Sequence, residues 1–162
     1  MFLVYWLFII FLEMSYNKEE IVSMLIERSL NRINDINTAK ETARDSIVND
    51  TKSSMGDKYE TSREMAQQEL NRLEMQLQQA EADLFKLNNL ELNPTTLVTT
   101  GSVVLSNQFD YFIAISIGPL KLQDKNLMVI SKESPIGSKL IGKKVGDRIE
   151  FNGKYLEIKQ IL

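Results

Sequence analysis

Carboxylates are the side chains through which this chain could do chemistry. Its 162 residues include no histidine and no cysteine. The commonest general base, the commonest metal ligand and the thiol nucleophile are therefore missing. Aspartate and glutamate remain, and their oxygens suit a hard cation such as Mg²⁺. The composition argues against a hydrolytic triad or a zinc site, and it predicts that any bound metal is held by carboxylates.

Helices must position these acids over the first part of the chain. Residues 18–48 contain no glycine and no proline, and Asn17 stands where it can cap the first turn. Alternating steps of four and three residues mark a heptad seam. Its positions are Val22, Ile26, Ser29, Ile33, Ile36, Lys40, Ala43 and Ile47. The pattern predicts one long helix whose apolar stripe is interrupted at two polar positions.

A second helix is predicted over residues 57–88. Its seam is more regular and consists of Leu70, Leu73, Leu77, Ala80, Leu84 and Leu87. A short polar segment that ends at Gly56 separates the two helices. Two helices of similar length joined by a short turn most simply fold back on each other. We therefore predict an antiparallel coiled-coil hairpin over residues 14–93, with its tip near residues 49–57.

The chain after Pro94 has the pattern of short strands. Runs of β-branched and aromatic residues alternate with turn residues, and Asn152-Gly153 is a strong signal for a type I′ hairpin. One short helix is expected near residues 138–141. We predict a β-rich domain over residues 94–162, and the chain as a whole is predicted to be an α+β protein.

The stretch GSKLIGKK, residues 137–144, is close to the phosphate-binding loop G-x-x-x-x-G-K-[ST]. Lys144 stands where that loop has serine or threonine, and a strand is predicted after it instead of a helix. The sequence also lacks the alternating strands and helices that would build a parallel sheet behind such a loop. These features argue against a nucleotide site.

The wider stretch, residues 134–161, resembles the C-terminal signature of the Gre family of bacterial transcript-cleavage elongation factors. The matching positions are Ser134-Pro135-Ile136, Leu140-Ile141-Gly142-Lys143, Gly146-Asp147, Ile149, and Tyr155 with Ile158. The predicted order, a helical hairpin before a β-rich domain, agrees with this family. Tyr59 and Arg63 also resemble the family's segment just past the hairpin tip.

This resemblance implies a fold, a partner and a mechanism. The fold is a coiled coil followed by an FKBP-like β-rich domain. The partner is RNA polymerase, with the globular domain near the mouth of the secondary channel and the coil inside it. The resemblance implies that acids at the coil tip help to hold a Mg²⁺ ion that is shared with the polymerase. The polymerase itself then cuts the backtracked RNA. The chain would then be a cytoplasmic accessory factor without enzyme activity or a cofactor of its own, and it would reach nascent RNA only indirectly.

The tip acids implied by the resemblance would fall at positions 52 and 55, where this chain has Lys52 and Met55. The acids on either side of the turn are Asp50 and Asp57, and they become the candidate catalytic and Mg²⁺-binding residues. Each also has a purely structural interpretation. Asp50 would be a solvated turn residue, and Asp57 a helix N-terminal acid favoured by the helix dipole.

Partner-binding residues are implied by the same resemblance in the C-terminal signature. They are Ser134, Pro135, Ile136, Gly137 and Lys143. Lys139, Lys143 and Lys144 form a basic cluster that would either meet an acidic polymerase surface or remain solvated. The net charge of −3 provides no general attraction to nucleic acid, so a protein partner is expected and DNA contact stays open.

Three other functions stay open. The first is a secondary-channel regulator that does not support cleavage, which Lys52 and Met55 favour. The second is an FKBP-like prolyl isomerase, although the aromatic residues of the β-rich domain are expected in its core. The third is a membrane-anchored adaptor that uses the apolar run of residues 1–13. That run is shorter than the about 20 residues that span a bilayer, so we interpret it as a start-site artefact upstream of Met14 and expect no membrane contact.

Overall fold

The computed structural model describes residues 16–50, 56–122 and 125–162, with side chains described for all of these except 49, 50 and 56–60. Two long helices come first, α1 over Lys18–Asp50 and α2 over Gly56–Asn88. Asn17 caps α1, because its Oδ1 accepts the N–H of Glu19 at 3.0 Å and that of Glu20 at 3.1 Å. The predicted cap is therefore confirmed. No helix in these ranges is long and apolar enough to cross a membrane.

The two helices pack along the predicted seams. Ile36 of α1 lies in one buried cluster with Leu73, Leu77 and Ala80 of α2. Four residues further along α1, Lys40 pairs with Glu74 of α2. Only five residues separate Asp50, the end of α1, from Gly56, the start of α2. Five residues are too few to run back along a helix of 33 residues, so two helices that contact each other in this way are antiparallel. The predicted antiparallel hairpin is confirmed over these residues.

Six strands and one short helix follow. The strands are β1 (Val103–Ser106), β2 (Asp110–Ala114), β3 (Gly118–Leu122), β4 (Lys125–Ser131), β5 (Arg148–Phe151) and β6 (Lys154–Ile161), and the helix is α3 (Gly137–Leu140). They form a single sheet in the order β3-β4-β2-β1-β6-β5. Only β2 and β4, among these six strands, pair in parallel. The predicted α+β class is confirmed, while the FKBP-like character of the sheet domain stays a prediction.

The turn between β5 and β6 has the geometry that its sequence predicts. Asn152 has φ 51° and Gly153 has φ 73°, so both central residues are in the left-handed region that a type I′ turn requires. Phe151 and Lys154 then pair directly across the turn. The turn places Leu156 and Ile158 of β6 in the domain core, where each is at most 3 % exposed.

The sheet buries residues on both of its faces. One face carries the main cluster, which contains Val98, Val104, Tyr111, Ile113, Ile130, Ile136, Leu140, Ile149, Leu156 and Ile158. The other face includes Phe112, which is fully buried. Asp110 shares that second face with Phe112, because side chains alternate along a strand. The hydroxyl of Tyr16 donates to Asp110 Oδ2 at 2.6 Å, so the segment before α1 contacts the sheet from this second side.

Contacts divide the described chain into two compact units. One is Met24–Asn88, and the other joins the described residues up to Ser23 with Asn89–Leu162. The first turns of α1 therefore belong with the sheet. The boundaries predicted from the sequence, at 13/14 and 93/94, stay predictions.

Candidate functional site

The candidate catalytic acids lie at the two helix ends that flank residues 51–55. Asp50 is the last residue of α1 and Asp57 is the second residue of α2. The side chains of both lie outside the described part of the structure, and so do Lys52 and Met55. Within the described residues, no group of three or more acids is arranged to hold a metal ion. The catalytic and Mg²⁺-binding roles of Asp50 and Asp57 stay predictions.

The turn that begins the C-terminal signature is held by its own serine. Ser134 Oγ donates to the carbonyl oxygen of Ser131 at 2.7 Å and accepts the N–H of Gly137 at 3.1 Å. A methyl group at Gly137 would lie 2.0 Å from the Ser131 oxygen and 2.8 Å from Ser134 Oγ. Glycine is therefore required at 137 by close approach of the backbone, and the serine makes the turn that leads into α3.

Of the five predicted partner-binding residues, two are buried. Ile136 is 8 % exposed and belongs to the main core cluster, and Gly137 is buried beside it. Pro135 is exposed, whereas Ser134 and Lys143 are half-buried. Ser134, Ile136 and Gly137 thus have packing and turn-forming contacts that account for them structurally. A partner-binding role for the five residues stays a prediction.

The Gly142–Lys144 segment pairs with the chain that enters the sheet domain. Val98 N–H donates to the Lys143 carbonyl and Gly142 N–H to the Val98 carbonyl, both at 2.8 Å. Leu97 and Lys144 form an antiparallel bridge beside them. Gly142 adopts φ 77°, which only glycine reaches without strain. This pairing gives the glycine and lysines of GSKLIGKK a structural role, in agreement with the argument against a nucleotide site.

Three aliphatic side chains along this pairing are exposed to solvent. Leu97 is 46 % exposed, Ile141 37 % and Val145 53 %. We call these three residues the aliphatic patch. The sequence does not predict this patch, because each residue has the type of an ordinary core position in a strand-rich stretch. The feature of the sequence that could have indicated this patch is that Ile141 and Val145 directly precede the turn residues Gly142 and Gly146.

Three lysines lie close in sequence to the residues of the aliphatic patch. Lys143 and Lys144 lie on the same pairing, and Lys139 is exposed on α3 with its ammonium donating to the Glu150 carbonyl at 2.7 Å. The side chain of Asp147 is engaged by the backbone, because its Oδ2 accepts the N–H of Lys144 at 3.0 Å. The patch and its lysines therefore form a surface that is apolar in part and positively charged.

A second charged group lies on the outer face of the β5–β6 hairpin. The Glu157 carboxylate accepts hydrogen bonds from Lys159 at 2.5 Å and from Arg148 at 3.0 Å. The hydrogen bond from Lys159 is the main reason that the pKa of Glu157 lies below its usual range. One acid thus bridges two cations here and offsets the charge of one of them.

Fold and site together define a class of protein, one in which an antiparallel helical hairpin accompanies a six-stranded domain with an exposed basic and aliphatic surface. Residues 95–161 match the family described as "Transcription elongation factor, GreA/GreB, C-term". This match lies within the C-terminal domain, and it confirms the resemblance to the Gre family that the signature at residues 134–161 predicts.

One curated relative and two solved structures are also similar to the chain. It is 50 % identical to the transcription elongation factor GreA of Clostridium acetobutylicum over 58 residues, which are 35 % of this chain and 37 % of that protein. The GreA factor homolog 1 (Gfh1) of Thermus thermophilus is 20 % identical over 85 % of this chain and 94 % of its own, with a TM-score of 0.34. The Gfh1 of Thermus aquaticus is 22 % identical over 83 % and 92 %, with a TM-score of 0.33.

Proposed function

We propose that this chain is a Gre-like transcription elongation factor that binds RNA polymerase at the secondary channel and stimulates the polymerase's own cleavage of backtracked RNA. The observation that carries the proposal is a GreA/GreB C-terminal domain in the same chain as an antiparallel helical hairpin. In this function the chain is an accessory factor with RNA polymerase as its partner. Nascent RNA is reached only through the polymerase, and the protein acts in the cytoplasm.

The proposed contribution to cleavage comes from Asp50 and Asp57. Each is placed by its backbone at a helix end beside the hairpin turn. Two carboxylates supply hard oxygen donors that suit Mg²⁺, but they are fewer than the six or so ligands that this ion takes. The remaining ligands would come from water and the polymerase. When bound, the ion would supply an activated water and charge stabilisation, while the role of this chain's acids is to help hold it.

A second candidate is a secondary-channel regulator that does not support cleavage. The observation that favours it is the presence of Lys52 and Met55 at the positions where the resemblance implies acids. A lysine near two carboxylates competes with a cation for them, since its charge repels the ion. Such a factor would bind the polymerase and compete for the channel without shortening the RNA.

A transcript-cleavage assay tests both candidates. The full chain is added to a backtracked elongation complex made with RNA polymerase from the same organism, beside Asp50→Asn and Asp57→Asn variants. We expect shortened RNA with the unchanged chain and a loss of about tenfold or more in the cleavage rate with at least one variant. The reason is that the metal ion that these carboxylates would help to hold supplies several kcal/mol of charge stabilisation. Asp45→Asn is the matched control, since Asp45 is exposed on α1 further from the turn.

The outcomes separate the two candidates. Cleavage that survives both substitutions would contradict the role of these acids. Absence of cleavage together with competition against a known secondary-channel factor would establish the second candidate. Absence of both cleavage and competition would overturn the polymerase function altogether.

A further inference from the structure

The two edge strands of the sheet differ in how they are protected. The strand order places β3 at one edge and β5 at the other. Within the described residues, β3 pairs with β4 alone and β5 pairs with β6 alone. The outer side of an edge strand presents backbone N–H and C=O groups that can pair with a strand of another chain. The residues on that outer side therefore decide whether an edge can accept a further strand.

The β3 edge is blocked by a proline. Pro119 lies opposite Met128 of β4. Proline has no N–H, and within a sheet it occupies positions whose backbone faces away from the neighbouring strand. The outer side of β3 thus lacks a donor at Pro119. Lys121, two residues further on, shares that side and is exposed. Proline and lysine are the residues by which natural edge strands resist pairing.

The β5 edge contains no proline. Phe151 and Lys154 flank the two-residue turn, where the residues of a hairpin exchange their backbone hydrogen bonds with each other. The direction of the backbone groups alternates along a strand, so those of Arg148 and Glu150 point away from β6. The Glu150 carbonyl does point outward, because it accepts the ammonium of Lys139 at 2.7 Å. The outer side of β5 therefore has a donor and an acceptor at both residues.

The ammonium of Lys139 stands where a neighbouring strand would place an N–H. A hydrogen bond from a charged donor is stronger than one between neutral backbone groups. An incoming strand must therefore displace a stronger bond at Glu150 in order to form a weaker one. Lys139 and Glu150 are both exposed, so this bond can open without disturbing the core. Lys139 thus restrains pairing at an edge that has no proline to prevent it.

The side chains of β5 are complementary to a second copy of the same strand. Ile149 is buried in the core, so Arg148 and Glu150 project from the opposite face. When two copies lie antiparallel with Ile149 opposite its own counterpart, Arg148 of each copy lies opposite Glu150 of the other. In this register the outward backbone groups of the opposed residues exchange hydrogen bonds directly. Sliding one strand by two residues would instead place like charges opposite each other, which is unfavourable.

We propose that β5 is a strand-pairing edge that fits a second copy of this chain, and that the ammonium of Lys139 restrains this pairing. The contact uses the same surface on both copies, so it closes at a dimer. Because β5 has only 4 residues, the contact is smaller than the about 1,200 Å² of a stable interface. The unchanged chain should therefore associate weakly. This inference goes beyond the polymerase function and does not depend on it.

Sedimentation equilibrium of the full chain measures the dimer association constant over a wide range of protein concentration. Lys139→Gln removes the ammonium, and Lys139→Arg keeps a charged donor. A third variant combines Lys139→Gln with Glu150→Arg, which places like charges opposite each other in the dimer. Lys121→Gln is the matched control, because it removes an exposed lysine from the edge that Pro119 blocks. Circular dichroism and melting curves confirm that each variant is folded.

We expect Lys139→Gln to dimerise at least about tenfold more tightly than the unchanged chain, because neither copy then loses a charge-assisted hydrogen bond. Adding Glu150→Arg to this variant should weaken the dimer by about tenfold or more, since two attractive cross-strand pairs become repulsive. Lys139→Arg and Lys121→Gln should remain within about twofold of the unchanged chain, as surface changes outside the contact do.

Three results would overturn the inference. If Lys139→Gln associates no more tightly than the unchanged chain, or if neither associates at all, Lys139 does not restrain a pairing edge. If the dimer of Lys139→Gln persists after Glu150→Arg is added, the contact lies on another surface. If Lys121→Gln strengthens association as much as Lys139→Gln does, the loss of a surface charge is responsible, and the β5 edge has no special role.

Discussion

Lys40 of α1 lies in the apolar seam of the hairpin, 8 % exposed, and its ammonium pairs with the carboxylate of Glu74 in α2. The pair is bounded on one side by the buried cluster that contains Ile36 and Leu73. A charge at this position has one good partner in the described part of α2. The pair therefore favours one register of the two helices over registers shifted by a turn, at some cost of desolvation.

Replacing Lys40 by methionine should leave the hairpin at least as stable as before. Lys40→Met removes the buried charge, and the Glu74 that remains is half-exposed and hydrated, so no buried charge is left unpaired. Glu74→Gln should instead lower the free energy of unfolding by about 1 kcal/mol, because Lys40 then loses its anionic partner. The loss is limited because Glu74 is half-exposed. Urea unfolding followed by circular dichroism measures both. A loss larger for Lys40→Met than for Glu74→Gln would contradict this account.

Removing the hydroxyl of Tyr16 should destabilise the sheet domain. The hydroxyl donates to Asp110 at 2.6 Å, and Tyr16 is 8 % exposed. A hydrogen bond to a charged acceptor contributes about 1.5–3 kcal/mol, so Tyr16→Phe should lower the free energy of unfolding by an amount near the lower end of that range. Tyr155→Phe is the control, because Tyr155 is 66 % exposed and its loss should cost under about 0.5 kcal/mol. Equal effects of the two substitutions would show that the Tyr16 bond adds nothing.

Tyr16 should also make the protein sensitive to alkali. Burial, the hydrogen bond to Asp110 and the charge of Asp110 all raise the pKa of Tyr16 above its usual range. The unfolded chain releases this proton near pH 10, whereas the folded protein retains it. Stability from this group is therefore complete below about pH 10 and is lost as the pH rises further.

Urea unfolding at pH values from 8 to 11 measures this dependence. The unchanged chain should lose stability above about pH 10, and Tyr16→Phe should lose less over the same interval. Some dependence should persist in the variant, because burial also raises the pKa of Tyr111. If the two chains lose stability in parallel, the phenol of Tyr16 is not the group responsible.

Gly137→Ala should be among the most damaging single changes in the sheet domain. The added methyl would lie 2.0 Å from the Ser131 carbonyl oxygen, which belongs to the backbone of β4 and cannot move freely. We expect a loss of about 2–4 kcal/mol, as for other substitutions that overpack a buried site. Gly118→Ala is the comparison, because nothing lies near its added methyl and the cost there is the strain of φ +89°, about 1–2 kcal/mol. Thermal melting of both variants ranks them, and a smaller loss for Gly137→Ala would contradict the close approach.

The helical hairpin and the β5–β6 turn were determined by the sequence alone. Every seam position predicted in α1 is buried or half-buried, including Ser29 and Lys40, which are polar. Asn152-Gly153 adopts the backbone that its residue types favour. These features depend on neighbours three or four residues away, or on the φ preferences of two residues, so a local pattern is sufficient to predict them.

The partners of Tyr16 and the roles of Ser134, Ile136 and Gly137 were decided only by the tertiary structure. Tyr16 and Asp110 are 94 residues apart in the chain, and no periodic pattern links them. The residue types at 134–137 are compatible both with docking and with a tight turn, and their packing against the Ser131 carbonyl and the core depends on how β4 and α3 meet. Likewise, Leu97 and Val145 have the residue types of a core, and the pairing of distant segments exposes them. Burial is a property of the assembled surface, so local residue order does not specify it.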